Sequence, residues 1–196
     1  VSKSRKEGAF WRSSSVEKPA HLFIAESPID AISFYEAHKD RSFVKNTLFA
    51  ATGGNVIDSQ IQALHQYARS QGVGTILLGY DKDISGYLYA LKILGADPRG
   101  NENIKIVKAN KASENRYGIA EFKIDIQFKK FAGKSNQDFI NGIRRLDLAG
   151  DLKVTTIKSD EANIHVSFPF SEDNATRFFA FMSQARGLKE RVKLAL

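Results

Sequence analysis

The chain has 196 residues, with 29 Lys and Arg against 22 Asp and Glu, a net charge of +7 and no cysteine. That length suits one large domain or a domain with an appendage. The missing cysteine excludes disulfides, thiolate zinc sites and cysteine nucleophiles, and it fits a reducing compartment, the cytoplasm. No apolar run reaches the ~18 residues of a membrane span, and the excess of positive charge favours a polyanionic partner, nucleic acid being the commonest.

Residues 1–19 are polar and basic and are expected to form a tail or an edge segment. The opening "VSKSRKEGAFW" has no apolar segment behind it, unlike a secretory signal. A chain that opens on Val is expected to be a piece of a longer protein. Residues 21–25, "HLFIA", are apolar without alternation, as in a strand covered on both faces of a parallel sheet. Ser27 is placed to cap the next helix, with Pro28 at its first position and Asp30 completing a capping box. Ile29, Ile32 and Tyr35 or Phe34 are expected to form its buried stripe.

The unit then repeats. "TLFAATGG" (47–54) is an apolar strand ending in a glycine turn, and Asp58 can cap a helix running to about Ser70 with Ile61, Leu64 and Ala68 on one face. "GTILLGYD" (74–81) is a third buried strand, "SGYLYALKILG" (85–95) a third helix closed by Gly95, and "NIKIVKA" (103–109) a fourth strand. Strand and helix alternating in this way predict an α/β domain over residues 20–118, with a mostly parallel four-stranded sheet flanked by helices.

From about residue 119 the pattern changes. "EFKIDIQFKK" sets Phe122, Ile124, Ile126 and Phe128 on one face and polar residues on the other, as in a strand with one wet face. A helix over about 135–148 follows. "LKVTTIK" and "ANIHVSF" then flank a turn at "SDE", and a last helix starts at Ser171 with Phe178, Met182 and Ala185 inward. Residues 119–196 thus form a β-α-β-β-α extension or small domain.

In open α/β sheets ligands bind beyond the carboxyl ends of the strands. The first strand ends in Glu26, the second in Thr52, Gly53 and Gly54, and the third runs into Asp81, Lys82 and Asp83. In extended backbone the two aspartates lie on one side, about 6.5–7 Å apart, and Lys82 on the other. Three carboxylates at one edge repel unless a cation neutralises them, and an oxygen-only donor set favours Mg²⁺ or Mn²⁺. A glutamate before a helix is by itself usually a dipole partner, and an Asp-x-Asp a solvated cap. It is the combination on neighbouring strands that points to chemistry.

"FIAESPIDA", "LFAATGG" and "LLGYDKDISGYLYA", in that order, resemble the topoisomerase–primase, or Toprim, domain. The resemblance covers residues 21 to about 109. It identifies Glu26 with the glutamate ending the family's first strand, Gly53 with its glycine turn, and Asp81 and Asp83 with its Asp-x-Asp. Gly86 and Ala90 fall on the glycine and alanine of the primase-like branch. "ESPIDAISFYE" is similar to Toprim proteins of plasmids and other mobile elements, and "GKSNQDFINGI" matches loosely a lysine–aspartate stretch of some members. The resemblance implies Mg²⁺ or Mn²⁺ on Asp81 and Asp83, with Glu26 as a further ligand or as the general acid/base for a 3′-hydroxyl. It also implies action on DNA and nucleotides: primer synthesis by a DNA primase-like nucleotidyltransferase in DNA replication, strand cleavage, or nucleolytic hydrolysis.

The chain departs from the family's larger members. It lacks a cysteine zinc module, and Ser85 stands where topoisomerases usually carry a further acid. It is therefore expected to be a module of something larger, working with a helicase, a relaxase or a zinc-binding module. The competing "AGKS" (132–135) is no P-loop, since Phe128 occupies the position of the required glycine. A rival reading is a non-catalytic nucleic-acid-binding or scaffold module on the same fold. It draws on a basic stripe in "QARGLKERVK" (Arg186, Lys189 and Arg191) together with Lys82, against the plainer reading of that stripe as a solvated helix end.

Overall fold

The structure, a computed structural model, describes residues 9–54, 56–99, 104–114, 120–129, 135–148, 154, 156–159 and 163–195. Residues 1–8 of the tail, 132–134 of "AGKS" and the acidic pair of the "SDE" turn lie outside the described residues. In chain order the elements are β1 (Trp11–Arg12), β2 (His21–Ala25), α1 (Pro28–His38), α2 (Ser42–Lys45), β3 (Thr47–Ala51), α3 (Asp58–Ser70), β4 (Thr75–Gly79) and α4 (Ile84–Ala96). There follow β5 (Ile104–Glu114), β6 (Ala120–Lys129), α5 (Ser135–Leu148), β7 (Thr156–Ser159), β8 (Asn163–Pro169), α6 (Glu172–Ala185) and β9 (Val192–Leu194). They divide into two compact units, Val1–Asp81 with Lys189–Leu196, and Lys82–Leu188.

The first unit is built on a mixed, mostly parallel sheet of order β1-β3-β2-β4-β9. β2 pairs in parallel with both β3 and β4, and β9 pairs in parallel with β4. Only the short edge strand β1 runs antiparallel. All of β3 and residues 22–25 of β2 are buried, as their unbroken apolar runs require. α1 packs on β2 and β3 around a cluster of Phe23, Ala25, Ala31, Val44 and Phe49. Its start follows the expected chemistry: Ser27 and Asp30 form a reciprocal capping box, with Pro28 at the first position.

The buried stripe of α1 is the expected one at Phe34 alone. Ile29 is 73% exposed and Ile32 52% exposed, and Tyr35 is also exposed, while Ala31 and half-buried Phe34 face the core. Small Ala31 lets the helix approach the sheet, and Phe34 stacks on Phe23 at 4.0 Å. α3 buries Ile61, Leu64 and Ala68 as expected, but its cap is Ile57, so Asp58 is a first-turn acid that suits the helix dipole.

In the second unit a four-stranded antiparallel sheet has the order β5-β6-β8-β7. The expected fourth strand of the parallel sheet is thus corrected: β5 pairs antiparallel with β6. Its sequence, "IKIVKANK", alternates apolar and charged residues, the pattern of a strand with one wet face. From β6 onward the elements follow in the order β-α-β-β-α. Ile124 and Ile126 of β6 and Ile164, Val166 and Phe168 of β8 are buried. Phe122 and Phe128, expected on the same face, lie outside the described side chains. α6 contributes Phe178, Phe179 and Met182 to the core, with Phe168 and Phe178 rings 4.8 Å apart, whereas Ala185 is exposed. α4 packs against β5 and α6. It continues through Gly95, which is buried inside the helix and does not close it.

Among the described residues no helix is long and apolar enough to cross a membrane.

Candidate active site at the carboxyl edge of the parallel strands

Ala25, Ala51 and Gly79 are the last residues of β2, β3 and β4 and lie opposite one another in register. The chain therefore leaves the sheet at Glu26, Thr52 and Tyr80 side by side, with Asp81 one residue further on. Register alone brings Glu26, Gly53 and Asp81 to one edge.

The backbone around Glu26 is closely held. Its carbonyl accepts from the Gly53 amide at 2.7 Å and the Gly54 amide at 3.4 Å, and the Thr52 amide donates to Ala25 at 3.1 Å. Gly53 has φ 68, in the left-handed region where a side chain is strained, so a glycine is needed to turn both amides toward Glu26. On the other side of Glu26, the Ser27 amide donates to Asp30 Oδ2 at 3.0 Å. The glutamate thus sits, half-buried, between a glycine turn and a capped helix start.

Two further groups at this edge have no plain signal in the sequence. The Thr52 and Tyr80 hydroxyls are 3.3 Å apart, and buried Gln60 donates from Nε2 to the carbonyls of Thr52 and Ala9. Tyr80 stands out only as the first residue after β4. The pull of Gln60 on the glycine turn depends on where α3 lies.

The aspartates differ in environment. Asp81 is exposed and makes no hydrogen bond or ion pair among the described residues. Asp83 opens the second unit's α4 as its N-cap, with Oδ1 accepting from the Gly86 amide at 2.8 Å. Gly86 is therefore buried in the first turn of a helix and does not form a turn of its own. Lys82, between them in sequence, is exposed and pairs with Glu172 at 3.1 Å. Lys189 and Arg191 are exposed.

Arg186 corrects the idea of an exposed stripe. It is 1% exposed, donating from Nη1 to the Leu94 carbonyl and from Nη2 to the Asp97 carbonyl at 3.0 Å. Burial pulls its pKa below the usual arginine value, and the charge of Asp97 opposes that shift. Arg186 therefore satisfies the carboxyl end of α4 and is not available to a nucleic acid.

The donor set at the edge fits a hard divalent cation. It is all oxygen, from Glu26 and Asp81, and the carboxylate of Asp81 has no competing partner among the described residues. No three His, Asp or Glu side chains gather into a ready-made metal group among the described residues. Mg²⁺ does not need such a cage, since it keeps waters and is usually bound by one or two carboxylates together with substrate phosphates.

Glu26 and Asp81 thus stand where open α/β sheets bind their ligands. Residues 23–115 match the family model described as Toprim-like, and this segment contains Glu26, Gly53, Asp81 and Asp83. No curated protein and no solved structure matches the chain.

Proposed function

We propose that the chain is a Mg²⁺- or Mn²⁺-dependent phosphoryl- or nucleotidyl-transfer module acting on DNA. We place it in the primase-like branch of the Toprim family, as a cytoplasmic part of a larger DNA-processing protein of a plasmid or other mobile element. The observation that carries this reading is the shared register of β2, β3 and β4, which sets Glu26 and Asp81 at one edge inside the segment matching the Toprim-like model.

In this reading Asp81 and Asp83 hold the ion, which when bound neutralises phosphate oxygens. Glu26 is a further ligand, or its carboxylate takes the proton of an attacking 3′-hydroxyl. The Gly53 amide on the Glu26 carbonyl and the capping box of Ser27 and Asp30 limit where that carboxylate can go. DNA and nucleotides are the substrates. A helicase, a relaxase or a zinc-binding module is the partner that supplies template engagement.

The test is to assay the protein with Mg²⁺ or Mn²⁺ for ribonucleotide incorporation on single-stranded DNA, and for nicking of supercoiled DNA. Metal-dependent primer products that disappear in Asp81→Asn with Asp83→Asn support the primase-like reading. Nicking without synthesis makes the module a Toprim nuclease. Equal behaviour of wild type and double variant in both assays overturns the catalytic reading.

The exposed cations Lys189 and Arg191 support one alternative, a non-catalytic nucleic-acid-binding or scaffold module. It predicts salt-sensitive DNA binding that survives the double aspartate substitution and weakens on replacing exposed Lys189 and Arg191.

A further inference from the structure

A groove of about 330 Å³ lies against the same parallel sheet. It is lined among others by His21, Phe34, His38, Arg41, Phe43 and Lys193, all of the first unit. Its lining runs from His21 and Thr75, which open β2 and β4, to Leu194 and Ala195 at the end of β9, and does not include Glu26 or Asp81.

Two features give this groove a chemistry. The first is a platform of rings. Phe23, Phe34 and His38 stack in series, with centroids 4.0 Å and 4.3 Å apart. His38 Nδ1 lies 2.9 Å from the Phe34 carbonyl, which can only accept, so this nitrogen carries the proton and the ring is fixed in place. The stack ends at His38, whose other face meets no ring among the described residues. Phe43 stands edge-on to His21 across the same groove.

The second feature is unspent positive and hydrogen-bonding capacity. The Arg41 amide donates to the His38 carbonyl at 2.9 Å, so a turn holds the cation beside the ring. The Arg41 guanidinium has no partner among the described residues. Lys193 pairs with Glu190 at 2.8 Å, but both side chains are largely exposed, and such a pair is readily exchanged. His21 Nδ1 is buried without a hydrogen-bond partner among the described residues. Among the described residues no carboxylate lines the groove.

We infer that this groove binds a phosphorylated planar heterocycle of mononucleotide size, with the ring continuing the His38 stack and the phosphate at Arg41 and Lys193. The volume is at the lower end for small-molecule sites, which suits one nucleotide and not a strand. Arg is well suited to phosphate by its fork of donors, and aromatic platforms accept any base. This site is separate from the carboxyl edge and does not depend on the metal chemistry proposed there.

The test is calorimetric titration of the full chain with AMP in EDTA, beside adenosine and ribose 5-phosphate. Saturable one-to-one binding is expected for AMP, tighter than for either fragment. Arg41→Ala with Lys193→Ala, both at exposed positions, is expected to weaken AMP roughly tenfold. His38→Ala is expected to weaken AMP while leaving ribose 5-phosphate unchanged. The variant with Asp81→Asn and Asp83→Asn is expected to bind AMP as wild type does. Absence of saturable AMP binding, binding indifferent to the Arg41 and Lys193 changes, or binding altered by the aspartate changes would each overturn the inference.

Discussion

Asp83 does two things with one side chain. Its Oδ1 caps α4, and its charge belongs to the Asp-x-Asp pair. Asparagine caps a helix about as well as aspartate, whereas alanine does not. Asp83→Asn is therefore expected to keep stability within about 0.5 kcal/mol, and Asp83→Ala to lower it by about 1 kcal/mol. Both variants are expected to lose metal-dependent activity alike. Urea unfolding of the two variants checks this. If Asn destabilises as much as Ala, the charge is holding the fold and the cap assignment is wrong. Glu26 differs in kind, because its own backbone carbonyl is what the glycine turn grips.

At the scale of elements, β2 and β4 depend on a missing side chain. A Cβ on Gly79 would lie 2.1 Å from the Phe23 ring, which is buried and already stacked on Phe34. Gly79→Ala is expected to cost about 2–3 kcal/mol, the range of an overpacked core. The thermal midpoint of the variant checks this, and an unchanged midpoint would show that Phe23 can move aside. The helix ends of the second unit depend on Arg186, the C-cap residue of α6, which donates to carbonyls at the end of α4. Arg186→Met is expected to lower stability by roughly 3 kcal/mol, since buried carbonyls lose their donors. DNA affinity per folded molecule should stay unchanged, and filter binding beside urea unfolding separates the two effects.

The same elements show where sequence reasoning reaches and where it ends. β2, β3, β4 and the start of α1 are legible because unbroken apolar runs and a capping box are local signals. β1 and β9 are two and three residues long, too short to carry a period, and they exist through pairing with distant strands. α1 has apolar residues on more than one face, so spacing does not decide between Ile29 with Ile32 and Ala31 with Phe34. Arg186 reads as one more cation in a basic run until α6 places it at the end of α4. The placement of Glu26 and Asp81 just beyond the ends of β2 and β4 was legible because apolar runs mark where strands end. The aromatic and basic groove was not, because its lining is drawn from segments between His21 and Ala195 that lie far apart in the chain.

On the scale of the whole molecule, the first unit carries Glu26 and Asp81 where the parallel strands end, and elsewhere on the same sheet a groove of cations and stacked rings. The net charge of +7 therefore does not mark the proposed catalytic edge, which is a local acidic exception within a basic chain. The account stands or falls on whether that edge takes a divalent ion. Titration calorimetry of the full chain with Mg²⁺ and Mn²⁺ measures this directly. The account predicts saturable binding in wild type that vanishes when Asp81 and Asp83 are both changed to Asn. No binding in wild type, or the same binding in the double variant, would contradict it.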